Sequence, residues 1–214
     1  EWNGSGAADA PTFRPLNGYA AVIDAIAATM PSSLVRVQMN SIVKQVRWKR
    51  GAVAVSGMYL GEEFTNEAPR AIITLPLGVL QLPAESPHGV RFAPAIAAHD
   101  ALAMLASGPV LKVILRFQGP FWESLDGGKY RNAAFFQASN QVFPTFWTSV
   151  PMRTSHMVAW TAGPNAMRLA GQQSAQVVRA ALSSLQSIFG RRVAVAERCT
   201  GALVHDWQAD PFAC

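Results

Sequence analysis

One lysine, Lys112, stands in the middle of the apolar run Gly108-Pro109-Val110-Leu111-Lys112-Val113-Ile114-Leu115-Arg116-Phe117, with Pro120-Phe121-Trp122 just beyond it. β-Branched and large apolar residues dominate the run and Gly-Pro closes one end, so it reads as a β-strand. Alternation puts Val110, Lys112, Ile114 and Arg116 on one face, and Leu111, Val113, Leu115 and Phe117 on the other. An ammonium flanked by Val and Ile on its own face either snorkels to solvent or is held for chemistry.

Other reactive residue types offer less. His88, His99, His156 and His205 are scattered without metal-ligand spacing, so no metal site is expected. Cys199 and Cys214 are the only cysteines, too few for a disulfide framework and silent on the compartment. No Ser-His-Asp or Cys-His arrangement stands out, and Glu62-Glu63 lies near a turn as a solvated pair. Gly4-Ser5-Gly6-Ala7-Ala8-Asp9 opens like a dinucleotide fingerprint, but it lacks the third glycine and a preceding strand. These residues alone leave the function open.

The chain has 214 residues, 50% hydrophobic and 14% charged, enough for one large domain or two small ones with a real core. No apolar stretch reaches the length of a membrane span. The net charge is +5, and the densest basic patch is Arg36, Lys44, Arg47, Lys49 and Arg50 on an apparent hairpin. A nucleic-acid reader would interleave such charges with exposed aromatics or line them along one helix. The patch reads instead as a solvated face or an anionic-ligand neighbourhood, and no nucleic-acid partner is expected. The chain opens on Glu1 without a basic-plus-apolar leader, and Asp206–Cys214 forms no recognisable terminal element. It is therefore expected to be a piece of a longer protein.

The elements around Lys112 follow from periodicity. Residues 1–13 read as loop. Gly18 to Met30 reads as a helix with Val22, Ile23, Ile26, Ala27 and Met30 on one face and Pro31 as its stop. From Leu34 to Val55 the period moves toward two, with a turn at Lys49-Arg50-Gly51. Ala71-Ile72-Ile73-Thr74-Leu75 suggests a strand buried on both faces. Residues 82–94, with Pro83, Pro87 and Pro94, read as a linker or crossover. A helix is expected from Ile96 to Ala106, and strands at Ala133–Phe136, Thr145–Thr148 and Met157–Thr161. Ser174 to Phe189 is the clearest helix, stopped by Gly190. A final strand is expected from Val193 to Val204. The order of elements predicts an α+β fold with a largely antiparallel sheet flanked by helices.

Several stretches carry a resemblance. Ala71-Ile72-Ile73-Thr74-Leu75-Pro76-Leu77-Gly78-Val79-Leu80-Gln81 resembles a signature stretch of the flavin-containing amine oxidases. That family includes monoamine oxidases, polyamine oxidases and lysine-specific histone demethylases. Val90-Arg91-Phe92-Ala93-Pro94 resembles the segment after its crossover, and Gly108 to Trp122 resembles its lysine strand. Ala159-Trp160-Thr161-Ala162-Gly163-Pro164-Asn165-Ala166 resembles the strand and turn before its long helix. Trp207-Gln208-Ala209-Asp210-Pro211-Phe212 resembles the run ahead of its Gly-x-Tyr segment. The similarity covers roughly residues 16–212. The polyamine oxidase and histone demethylase branch is the nearest in flavour.

The resemblance implies FAD as cofactor, a small-molecule amine as substrate and molecular oxygen as electron acceptor. In this family hydride passes from the amine α-carbon to flavin N5, the imine hydrolyses, and peroxide is released. No protein base is needed if the amine binds neutral. Lys112 matches the lysine that reaches flavin N5 through a water. Val43 matches a valine whose backbone meets the adenine. Thr74, Leu75 and Pro76 match a strand end that touches the cofactor. Trp207 matches a tryptophan beside the isoalloxazine, Phe212 falls where some relatives carry a second aromatic, and Trp147 matches an aromatic on the substrate side. Residues 1–33 and 84–206 correspond to the substrate-binding domain. Residues 35–83 and 207–214 correspond to parts of the FAD-binding domain, including a β-meander. The family's N-terminal Gly-rich loop and C-terminal tyrosine segment find no match here, so the isolated chain is expected to be inactive.

Each matched residue also has an ordinary reading. Val43 and Leu75 would be apolar strand residues anyway, and Trp147 and Trp207 would serve as core aromatics. Two rival functions stay open: a non-catalytic binding or interaction module on the same scaffold, and a related flavoenzyme. The latter would desaturate a carbon–carbon bond or oxidise an amino acid, an amino acid oxidase needing an arginine for the substrate carboxylate. Compartment and oligomeric state are not legible.

Overall fold

The computed structural model describes residues 15, 17–97 and 99–213. The Gly4–Asp9 stretch, read above against a dinucleotide fingerprint, and Cys214 lie outside the described residues. Residues 1–41 form one unit and residues 42–214 a second. In the first, Gly18–Ala28 is helix α1. It ends just ahead of Pro31, where Thr29 Oγ1 donates to the Ile26 carbonyl at 2.7 Å. Its expected apolar face forms, yet the helix buries no residue.

The second unit is built on two sheets. Ser41–Lys49 (β1), Ala52–Tyr59 (β2), Glu62–Ala68 (β3) and Arg91–Ala93 (β4) make a four-stranded sheet in the order β3-β2-β1-β4. β2 and β3 are antiparallel, whereas β4 runs parallel to β1. The turn between β2 and β3 puts Leu60 and Gly61 at φ 51° and 92°. Two positive φ values match the right-handed twist of a two-residue hairpin. Gly57 of β2 approaches β1 so closely that a Cβ there would collide with the Ile42 carbonyl.

The second sheet has five strands, Val110–Phe117 (β5), Phe135–Gln137 (β6), Thr145–Trp147 (β7), His156–Ala162 (β8) and Cys199–Asp206 (β9), in the order β6-β7-β8-β5-β9. All its pairings are antiparallel. β5 alternates as its sequence demands. Leu111, Val113, Leu115 and Phe117 are buried in the core, while Val110, Lys112 and Ile114 are half-buried on the other face. The core face packs with Val177, Ala181 and Leu185 of the helix Ser174–Phe189 and with Phe143, Phe146 and Trp122. That helix closes its start with a Gln173–Gln176 capping box and stops at Gly190, φ 77°. The whole is α+β, two sheets flanked by helices.

Four sequence expectations change. Ala71–Leu75 is not a strand: no ladder partner takes it up among the described residues, and Ile72 is 91% exposed. An all-apolar run needs a neighbour on each face to become a buried strand, and neither sheet supplies one. The helix expected from Ile96 to Ala106 is confined to His99–Ala103, because Met104 and Leu105 find no core to enter. The final strand starts at Cys199, not Val193. The Gln186 side chain donates to the Val193 carbonyl and accepts from the Val195 N–H, which holds residues 193–195 in a turn ahead of the short helix Val195–Arg198. Finally, Val35, Val37 and Met39, whose alternation suggests a strand, lie outside β1, which starts only at Ser41.

Candidate functional site

The open face of the five-stranded sheet gathers the chemistry. Residues directly opposite on paired strands share a face. One row across the sheet reads Gln137, Thr145, Trp160, Lys112 and His205; the next reads Phe135, Trp147, Val158, Ile114 and Leu203. The Lys112 Nζ lies 5.8 Å from the centroid of the Trp147 ring, within cation–π range. Phe135 meets Trp147 with ring centroids 6.4 Å apart and planes tilted by 49°, and Thr145 Oγ1 donates to Gln137 Oε1 at 3.1 Å. Just past the end of β9, Trp207 meets the His205 ring edge-on at 4.2 Å.

This face is apolar, aromatic and largely uncovered. Phe135 and Leu203 are each 63% exposed and Trp207 48%. Exposed apolar surface of that extent marks a binding or interaction face. A planar apolar ligand laid on it would meet aromatic edges, with one ammonium available as donor.

Three of the residues singled out in the sequence therefore fall together: Lys112, Trp147 and Trp207. The others lie apart from this face. Val43 is half-buried in β1 of the four-stranded sheet. Thr74 and Pro76 are exposed and Leu75 half-buried, in the extended stretch ahead of the helix Leu77–Gln81. Phe212 is half-exposed and packs edge-on against His88 at 4.9 Å. The Nδ1 of His88 is buried without a hydrogen-bond partner among the described residues.

Sequence reading passed over His205, Trp160 and Leu203. Their signal was present in the strand register: each sits opposite Lys112 or Ile114 on a neighbouring strand. The basic patch falls elsewhere. Arg47, Trp48 and Lys49 line an open groove of about 740 Å³ at one end of the four-stranded sheet, facing Glu67. Lys44 donates to the Pro87 carbonyl. Among the described residues no cluster of His, Cys, Asp or Glu could hold a metal ion, and no helix is long and apolar enough to cross a membrane.

Residues 6–213 match the sequence profile of the flavin containing amine oxidoreductases. The chain belongs to that family. Solved amine oxidases share its fold. Cyclohexylamine oxidase from Brevibacterium oxydans IH-35A superposes with a TM-score of 0.61 at 18% identity, covering 80% of this chain and 35% of that one. Wild-type putrescine oxidase bound to putrescine superposes with a TM-score of 0.70 at 18% identity, covering 92% of this chain and 40% of that one. This amine oxidoreductase chain thus spans well under half the length of those enzymes. No curated protein sequence matches it significantly.

Proposed function

We propose that the chain is the central part of an FAD-dependent amine oxidase, with the open face around Lys112 as the flavin and substrate wall. The observation that carries this reading is the pairing of a lone ammonium with an indole, Lys112 and Trp147 at 5.8 Å, on an uncovered aromatic face. These residues fit a flavin: its ring system is planar and apolar, and its reduced form carries negative charge that a nearby cation stabilises. When bound, FAD would accept hydride from the amine α-carbon and pass the electrons to oxygen, giving an imine that hydrolyses and peroxide.

The roles of the chain's own residues follow from that. Lys112 supplies fixed positive charge and a hydrogen-bond donor from the middle of a rigid strand. Trp147 limits where its ammonium can reach and offers an aromatic wall to the substrate. Trp207 borders the ring system from the end of β9. Val43 meets the adenine through its backbone, Thr74, Leu75 and Pro76 meet the cofactor along their exposed stretch, and Phe212 adds an aromatic edge. In this reading residues 1–33 and 84–206 belong to a substrate-binding domain, and residues 35–83 and 207–214 to part of an FAD-binding domain.

Among amine substrates, a polyamine or other primary or secondary amine fits best. The putrescine oxidase neighbour supports that class. An amino acid substrate would call for a free arginine on this face. Arg116 is exposed on it and, with one hydrogen bond from Nε to Thr200 Oγ1 at 3.4 Å, keeps donors for a carboxylate, so amino acids belong in the same screen. The isolated chain is proposed to be inactive, holding only part of the cofactor site. Two experiments test these points. Full-length protein is screened against an amine panel with peroxide detection; no turnover of any amine defeats the oxidase reading. The 214-residue chain is titrated with FAD; tight stoichiometric binding with amine turnover defeats the claim of inactivity.

A further inference from the structure

The ladder between β5 and β9 sets His205 directly opposite Lys112 on the open face. Two residues on, Trp207 meets the His205 ring with centroids 4.2 Å apart and planes at 74°. β9 ends at Asp206, so the hydrogen-bonded ladder that orders His205 stops one residue short of Trp207. Beyond it the chain turns: Asp206 Oδ1 accepts from the Gln208 N–H at 3.0 Å. Trp207 itself is 48% exposed, and among the described residues the imidazole is the one ring in contact with it.

We propose that His205 is a positioning residue that carries the order of β9 over to Trp207 and so sets the spacing between the Trp207 indole and the Lys112 ammonium. The proposal rests on the flavin reading above, in which those two groups border the same ring system. The physics is local. An edge-to-face contact restricts how the indole can swing, because the quadrupoles of the two rings favour this arrangement over others. The partner of that contact is pinned by β-sheet hydrogen bonds to the strand that carries Lys112. A ring is what the task needs. Phenylalanine at 205 should hold Trp207 as histidine does, whereas alanine or leucine should release it.

The first readout needs no cofactor. The contribution of Trp207 to the near-ultraviolet circular dichroism of the chain is obtained as the difference from Trp207→Phe. His205→Ala and His205→Leu should lose most of that contribution, and His205→Phe should keep it. His205 is exposed, so far-ultraviolet spectra and thermal midpoints should stay close to those of the parent. Leucine has a volume close to that of histidine, so the Leu and Phe pair decides the matter even if the alanine variant fails to fold. Retention of the Trp207 signal in His205→Leu overturns the proposal.

The second readout uses full-length protein with FAD bound. His205→Leu should shift the visible flavin band in the same direction as Trp207→Phe, and His205→Phe should not. A flavin band indifferent to His205→Leu overturns the positioning role and leaves the flavin reading intact. Failure of the full-length protein to bind FAD defeats the flavin reading, while the near-ultraviolet result still decides whether His205 holds Trp207.

Discussion

The Lys112 ammonium sits 5.8 Å from the centre of the Trp147 ring, across two strand pairings of one sheet. The indole draws the cation toward β7 and away from open solvent. That contact separates two fates of a lysine in an apolar strand, free snorkelling and a defined position. Replacing Trp147 with leucine should leave the fold intact, because the ring is only half-buried on the open face. In full-length protein it should raise KM for amines more than it lowers FAD affinity. Steady-state kinetics and FAD titration compare the two; an unchanged KM would remove Trp147 from the substrate wall.

Core stability should depend on the opposite face of β5. Leu115 is fully buried among aromatic and aliphatic neighbours. Leu115→Ala should cost about 2–5 kcal/mol through lost burial and the cavity left behind. Urea denaturation of the chain measures it, and a loss below about 1 kcal/mol would mean that this sheet is not the core.

Gly57 should tolerate no side chain. A Cβ would meet the backbone of Ile42 and Val43, neither of which can rotate away as a side chain would. Gly57→Ala should destabilise by about 1–3 kcal/mol. Because the clash lies beside Val43, the same variant should weaken FAD binding in the full-length protein. Wild-type stability together with wild-type FAD affinity would contradict both the close approach and the role proposed for Val43.

The Ala71–Leu75 stretch supplies a test of a different kind. Ile72 is 91% exposed, so Ile72→Asp should leave the thermal midpoint of the 214-residue chain within a degree or two, as surface changes of under about 0.5 kcal/mol do. In full-length protein the same change should weaken flavin binding, since the adjoining Thr74, Leu75 and Pro76 are proposed to meet the cofactor. Equal tolerance in both proteins would remove this stretch from the cofactor site.

What was legible in the sequence follows a physical pattern. β5 and the helix Ser174–Phe189 were readable because a single buried face imposes a clean period on each. The Lys112 face was readable for the same reason. Strand β3 was not, because Glu62–Ala68 is an edge strand with polar side chains, held by its ladder to β2 and not by burial. Ala71–Leu75 misled in the opposite direction: its composition demands burial, which these residues do not provide. The turn at Val193–Val195 was hidden because it depends on one side chain from the preceding helix, Gln186. For the site, resemblance pointed to Lys112, Trp147 and Trp207, whereas His205 emerged only from strand register.

The most direct measurement for the role of Lys112 is the reoxidation of reduced FAD by oxygen in full-length protein, with lysine or methionine at position 112. Lys112→Met keeps the length and apolar stem of the side chain but removes its charge and its donor. The expected result is a fall of roughly 10²–10³ in the reoxidation rate, typical of losing one preorganised electrostatic group. FAD affinity should change by less than about tenfold, or 1.4 kcal/mol. Unchanged oxygen reactivity in Lys112→Met would contradict the role assigned to this lysine.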